Sequence, residues 1–157
     1  MPNDVLTRIL QAGRAAGSSK NIQPWRFVVL RDAGRRRALA RFMRGARSLE
    51  GCVVAIAIVL LNSELRYDAG RVAQNMMVAA WAFGVGTCPN SVHPDHHDEA
   101  RALLGVPADA AISSVITLGY PAPGQPHPRS GRDPEKVLAR VKRLPLDELV
   151  HEERYSS

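Results

Sequence analysis

The chain has 157 residues, enough for one domain that hides roughly two-thirds of its unfolded surface without disulfide staples. Its 45% apolar and 23% charged content excludes a disordered tail, and two cysteines, Cys52 and Cys88, make no disulfide framework, which points to a reducing compartment such as the cytoplasm. The formal charge of +6 is uneven: residues 1–50 hold eleven Arg and Lys against three acids, and the rest ten against twelve, so the basic end favours an anionic ligand or partner.

The opening Met1-Pro-Asn-Asp lacks the basic and apolar regions of a secretory signal. The longest apolar runs, Cys52–Leu61 and Met76–Val85, have ten residues each, about half of what a spanning helix needs, so no membrane partner is expected. No repeat or linker divides the chain, and residues 1–157 read as a single domain.

A first helix is predicted from Asp4 to about Ala16, capped by Asn3, with Val5, Leu6, Ile9 and Leu10 inward. The polar stretch Gly17–Pro24 follows, then a strand over Trp25–Arg31. A second helix is predicted from Asp32 to about Arg47, with Leu39, Phe42, Met43 and Ala46 on one face. Cys52–Leu61 is rich in β-branched residues and apolar on both faces, the pattern of a central buried strand. Asp68–Phe83 reads as a helix with little polar face, which must be covered on most sides, by the fold or by a second subunit.

Gly84–Val92 reads as a loop from its Gly and Pro content. Asp95 is placed as the cap of a helix that Gly105 terminates, and Ala111–Tyr120 as a second buried strand. Four prolines and two glycines from Pro121 to Asp133 describe a surface loop, and Pro134 opens a short helix to Lys142. The last fifteen residues, 143–157, hold too few apolar groups to pack alone and are either a frayed tail or an arm across another subunit. Alternating strands and helices argue for a sheet covered on both faces; pattern alone leaves the strand directions open.

Two segments are candidates for chemistry. Ser18, Ser19, Asn21 and Gln23 are hydrogen-bonding side chains between a helix end and a strand start, suited either to the hydroxyls of a sugar alcohol or simply to capping a turn. The glycines of Gly84–Val92 let backbone N–H groups approach a planar ligand, although Gly after a helix also serves as a plain C-cap. His93, His96 and His97 with Asp95, Asp98 and Glu99 are too closely spaced to converge on one ion, so no metal is predicted. The run Arg35–Arg37 reads as a solvated helix face. With aromatics at 5% of the chain a base-stacking platform is not expected, and neither is a nucleic-acid partner.

Taken together, Asn21-Ile-Gln-Pro-Trp-Arg-Phe-Val-Val, Tyr67-Asp-Ala-Gly-Arg-Val-Ala-Gln-Asn-Met-Met and Phe83-Gly-Val-Gly-Thr-Cys resemble the flavin-dependent nitroreductase family. Leu104-Gly-Val-Pro107, Ile116-Thr-Leu-Gly-Tyr-Pro121 and Lys142-Arg-Leu-Pro-Leu-Asp-Glu agree in order. The resemblance implies an α+β fold with a mostly antiparallel central sheet between helices, and an intertwined homodimer holding FMN at its interface. It implies hydride transfer from NADH or NADPH to a nitroaromatic, quinone or similar small acceptor. By position, Ser18, Asn21 and Gln23 would face FMN in the partner's half of the site. Pro89, Asn90 and Ser91 would lie beside the isoalloxazine, with the Ser91 backbone N–H nearest N5 and no side chain acting as a catalyst. Lys142 and Arg143 would meet the phosphate, and 143–157 would be the arm over the neighbour. The given sequence begins after the point where relatives carry a basic Arg-Arg-Ser-x-Arg-like phosphate motif; either Arg8, Arg14, Arg66, Arg71 or Arg143 substitutes for it, or the true start lies upstream. The alternative is a non-catalytic dimer of the same fold, a binding or partner protein with weakened flavin binding. The short stretch between Leu61 and Asp68 also leaves little chain for a lid, and Val92 stands where relatives often have Gly.

Overall fold

The computed structural model describes residues 1–124 and 141–155. Strand β1 is Trp25–Leu30, β2 Val54–Leu60, β3 Gly86–Asn90 and β4 Ala111–Gly119, in the order β1-β2-β4-β3 with every pair antiparallel. All seven residues of β2 are buried, because the strand is flanked on both edges and covered on both faces.

Helices α1 (Asn3–Arg14) and α4 (Arg66–Ala82) cover one face, where Leu6, Ile9, Val72 and Met76 join Ile56, Ile58, Ile116 and Leu118. Gly13 lets the two helices approach closely, since a Cβ on it would force the Met76 side chain to shift. Helices α2 (Ala33–Ala40), α3 (Ala46–Gly51) and α5 (His97–Leu104) cover the other face through Leu39, Leu49 and Leu104 against Ala55, Ala57 and Val115. The fold is therefore α+β with helices on both faces of an antiparallel sheet, as the resemblance implied.

The structure corrects several boundaries. The helix predicted over 32–47 breaks between α2 and α3, because the backbone of 42–44 is diverted to another strand end. Phe42 O accepts from His93 N at 2.8 Å, Arg44 N donates to Ser91 O at 3.0 Å, and Met43 bridges Val92. Within Gly84–Val92, β3 pairs with β4 rather than looping; Pro89 is tolerated because β3 is an edge strand. Asn3 lies inside α1 behind Pro2, and Asp95 sits in a 3-10 turn before α5 rather than capping it, while Gly105 ends α5 at φ 68°. Arg36 is buried rather than solvated and donates to Arg31 O at 2.5 Å. Most of the helix expected from Pro134 lies outside the described residues; its last expected residue, Lys142, adopts φ 51° in a turn.

On α4, Tyr67, Val78 and Trp81 stay exposed in the single chain, as do Leu144, Leu146, Leu149 and Val150 of the C-terminal segment. Among the described residues no helix is long and apolar enough to cross a membrane.

Candidate functional site

One end of the sheet gathers the candidate loops. There β1 starts, β2 ends, β3 ends and β4 starts, so residues 17–24, 61–65 and 91–93 lie at the same edge of the fold. Leu61 N donates to Pro24 O at 2.9 Å and ties two of them together. The connection from Leu60 to Arg66 is only five residues long.

The 18–23 loop is held in an unusual backbone. Lys20, Asn21 and Gln23 all have φ near 50–55°, a region that costs side-chain-bearing residues energy and that clusters at functional sites. Local hydrogen bonds maintain it. Ser18 Oγ accepts from Gln23 N at 2.9 Å, and Gln23 Nε2 donates to Asn21 Oδ1 at 3.1 Å. Asn21 and Gln23 remain exposed on its outer side. Beside it the Arg71 guanidinium stacks 5.9 Å from the Tyr67 ring and occupies the space that a Cβ at Gly17 would need.

The second segment works through its backbone. Pro89 is exposed, whereas Asn90 is buried and its amide faces inward. Its Nδ2 donates to Cys88 O at 3.0 Å, and its Oδ1 accepts from Ser48 Oγ at 2.8 Å. The Asn90 side chain is thus a brace and only its backbone faces the edge. Gly45 makes room for it, since a Cβ there would strike Asn90 Oδ1. Val92 is likewise buried in a core cluster and also lines the cavity beside Ser91. Ser91 is exposed, its C=O is taken by Arg44, and its N–H has no backbone acceptor among the described residues. An unpaired N–H beyond an edge strand is a ready donor to a ligand atom.

Lys142 and Arg143 are exposed and make no hydrogen bond or ion pair with other described residues, so within one chain they are not drawn to either loop. Cys88 is exposed on β3, while Cys52 is buried at the foot of β2 with β4 between them; burial pushes the Cys52 thiol up despite the Arg36 guanidinium that opposes it. His93 and His96 pair locally with Asp95 and Glu99 at 3.3 Å. The Glu99 carboxyl is held below its ordinary range, first by a backbone N–H and then by His96. Arg44, Gly45 and Ser48 are the positioning residues that sequence reasoning missed; the glycine inside a helical pattern was the available signal.

The model of the nitroreductase family matches residues 1–57 and 61–120. An NADH dehydrogenase of Thermus thermophilus is 29% identical, covering 78% of this chain and 78% of its own. The structure of the NADPH:FMN oxidoreductase of Vibrio harveyi, complexed with NAD+, superposes with a TM-score of 0.81 at 25% identity, over 100% of this chain and 70% of that one. Nitroreductase A of Vibrio parahaemolyticus gives 0.80 at 27% identity, over 100% and 69%.

Proposed function

Because this chain belongs to the nitroreductase family, we propose that it is an FMN-dependent oxidoreductase, a single domain over residues 1–157, that takes hydride from NADH or NADPH and passes electrons to a nitroaromatic, quinone or similar small acceptor. The observation that carries this reading is the free Ser91 N–H at the end of the β3 edge. A planar heterocycle with an accepting nitrogen needs such a donor and a flank cleared of side chains. Here the Asn90 side chain is turned inward onto Ser48 and keeps off that flank, so the residues present fit the group. When bound, FMN supplies the two-electron carrier, and the chain supplies orientation and hydrogen bonds.

Ser91 is assigned to the flavin ring through its backbone, with Pro89 and the Asn90 backbone beside it. Ser18, Asn21 and Gln23 are assigned to the flavin in the partner's half of the site, and Lys142 and Arg143 to its phosphate, which needs paired cations. The protein is proposed to act as a homodimer in the cytoplasm. Exposed Val78 and Trp81 on α4 support the pairing, and the apolar residues of 144–150 support an arm across the partner. The test is to purify the chain, denature it and measure released FMN, with the native mass read by analytical ultracentrifugation. The expected result is a yellow dimer that oxidises NADH or NADPH when an acceptor is present. Asn21→Ala and Arg143→Ala should each lower flavin occupancy. A colourless chain that refuses added FMN would overturn the reading.

A further inference from the structure

A cavity of about 220 Å3 opens directly behind Ser91, where the end of β2 and the start of β4 meet the starts of α4 and α5. That volume equals the liquid share of about seven waters, room for a substituted small ring. Its floor is apolar and includes Leu60, and its polar lining is Ser63, Arg66, Ser91, His97 and Ser113. The lining holds three hydroxyls, an imidazole and a guanidinium, but no carboxylate.

Two features show that these groups are turned there by the fold. The β2–β4 register slips between Ile58 and Val59: Ile58 pairs with Ser114 and Val59 with Ile112, so Ser113 is the extra residue of a bulge. Bulges re-aim one side chain, and here it lines the cavity. Arg66 also carries no counter-charge. Its Nε donates to Ser63 O at 3.3 Å, and no carboxylate among the described residues pairs with it. Of the acids in the adjoining first turns, Asp98 pairs with Arg101 at 2.6 Å and Glu99 with His96 at 3.3 Å, while buried Asp68 lies 3.9 Å from Arg71 and leaves its Oδ2 without a hydrogen bond.

We propose that this cavity is a subsite for an oxyanion substituent, a carboxylate or sulfonate, carried by the electron acceptor. That the ligand is the electron acceptor rests on the flavin reading; the oxyanion preference rests on the lining alone. Arg66 supplies the charge and the planar donor fork, and Ser63 and Ser113 supply hydroxyl donors. Ser91 belongs to both places, since it follows the β3 edge and also lines the cavity, so an anion held here sits beside the proposed flavin ring.

The test compares 4-nitrobenzoate with its neutral analogue 4-nitrobenzamide. Equilibrium dialysis on flavin-free and on FMN-loaded protein should show 4-nitrobenzoate bound at least ~10-fold more tightly, the scale of one charged hydrogen-bonded contact. Arg66→Gln should remove that preference, and Ser113→Ala should reduce it by a few fold. In steady-state assays Arg66→Gln should raise KM for 4-nitrobenzoate while leaving 4-nitrobenzamide and the nicotinamide donor unaffected. Equal binding of the two compounds, or a preference that survives Arg66→Gln, would overturn the proposal. So would a change in KM for NADPH in place of the nitro acid, because the anion would then belong to the donor. Dialysis on the flavin-free chain keeps this outcome separate from failure to bind FMN.

Discussion

The loop 18–23 and the segment 89–92 reach the same end of the sheet and are built in opposite ways. In the first, polar side chains face outward from a backbone held at positive φ, and the energy of that conformation is offset by bonds inside the loop. In the second, the backbone faces outward and the side chains are the scaffold, with Asn90 and Val92 buried and the Ser91 N–H without a backbone acceptor among the described residues. Mutating a side chain should therefore alter direct contacts in the first region and alter placement in the second.

The largest effect should come from Gly45→Ala. The added Cβ meets Asn90 Oδ1, which is fixed by Ser48 and cannot swing away cheaply. Overpacking of this kind costs about 1–3 kcal/mol, less the roughly 0.4–1 kcal/mol that alanine gains through the unfolded chain. Urea unfolding should show a lower midpoint at unchanged slope, and the residual folded protein should hold flavin poorly because Ser91 is displaced. Full stability and full occupancy in this variant would break the claim that Asn90 is a brace.

Asn90→Ala should come next. It removes the bonds to Ser48 Oγ and Cys88 O and a longer one, 3.4 Å, to Val115 O. Ser48 can turn its single hydroxyl hydrogen to Gly45 O at 2.9 Å, and Cys88 O keeps Thr117 Oγ1 at 3.1 Å, so those two partners are not stranded. The loss should therefore sit near 1–2 kcal/mol, the range for hydrogen bonds whose partners stay satisfied plus a small void. The same urea titration measures it. A larger loss than for Gly45→Ala would mean that the void, not the clash, governs this corner.

The sheet was legible in the sequence because its signals are local. Val54–Leu60 and Ala111–Gly119 are long and apolar, and those patterns marked both central strands within two residues. Gly105 also ended α5 where its residue type suggested. What could not be read were features set by distant partners. The helical pattern through Arg47 is genuine, since Leu39 and Met43 are both buried, yet 42–44 leave the helix to bond residues 91–93. β3 hid for the same reason: Thr-Cys-Pro-Asn has weak strand preference and forms only because β4 offers an edge. In the site, residue identity pointed to Ser91 and Asn90 together, but which one braces and which one presents its backbone depends on Ser48 and Gly45, more than forty positions away.

The smallest effect tests the strained loop. Lys20 is exposed at φ 50° and ψ 22°, and its side chain makes no hydrogen bond or ion pair among the described residues. A left-handed conformation costs a side-chain-bearing residue about 1–2 kcal/mol, and glycine avoids it while losing about 0.5–1 kcal/mol more chain entropy on folding. Lys20→Gly should thus stabilise the protein by about 0.5 kcal/mol, a rise in Tm of roughly 1–2 °C for a chain of this size. If the strain serves to hold Asn21 and Gln23 outward, the same change should loosen them and lower FMN affinity even as Tm rises. Opposite movement of the two readouts is the signature of strain kept for binding. A fall in Tm would show instead that the loop is relaxed, and the contrast with the backbone-presenting segment would vanish.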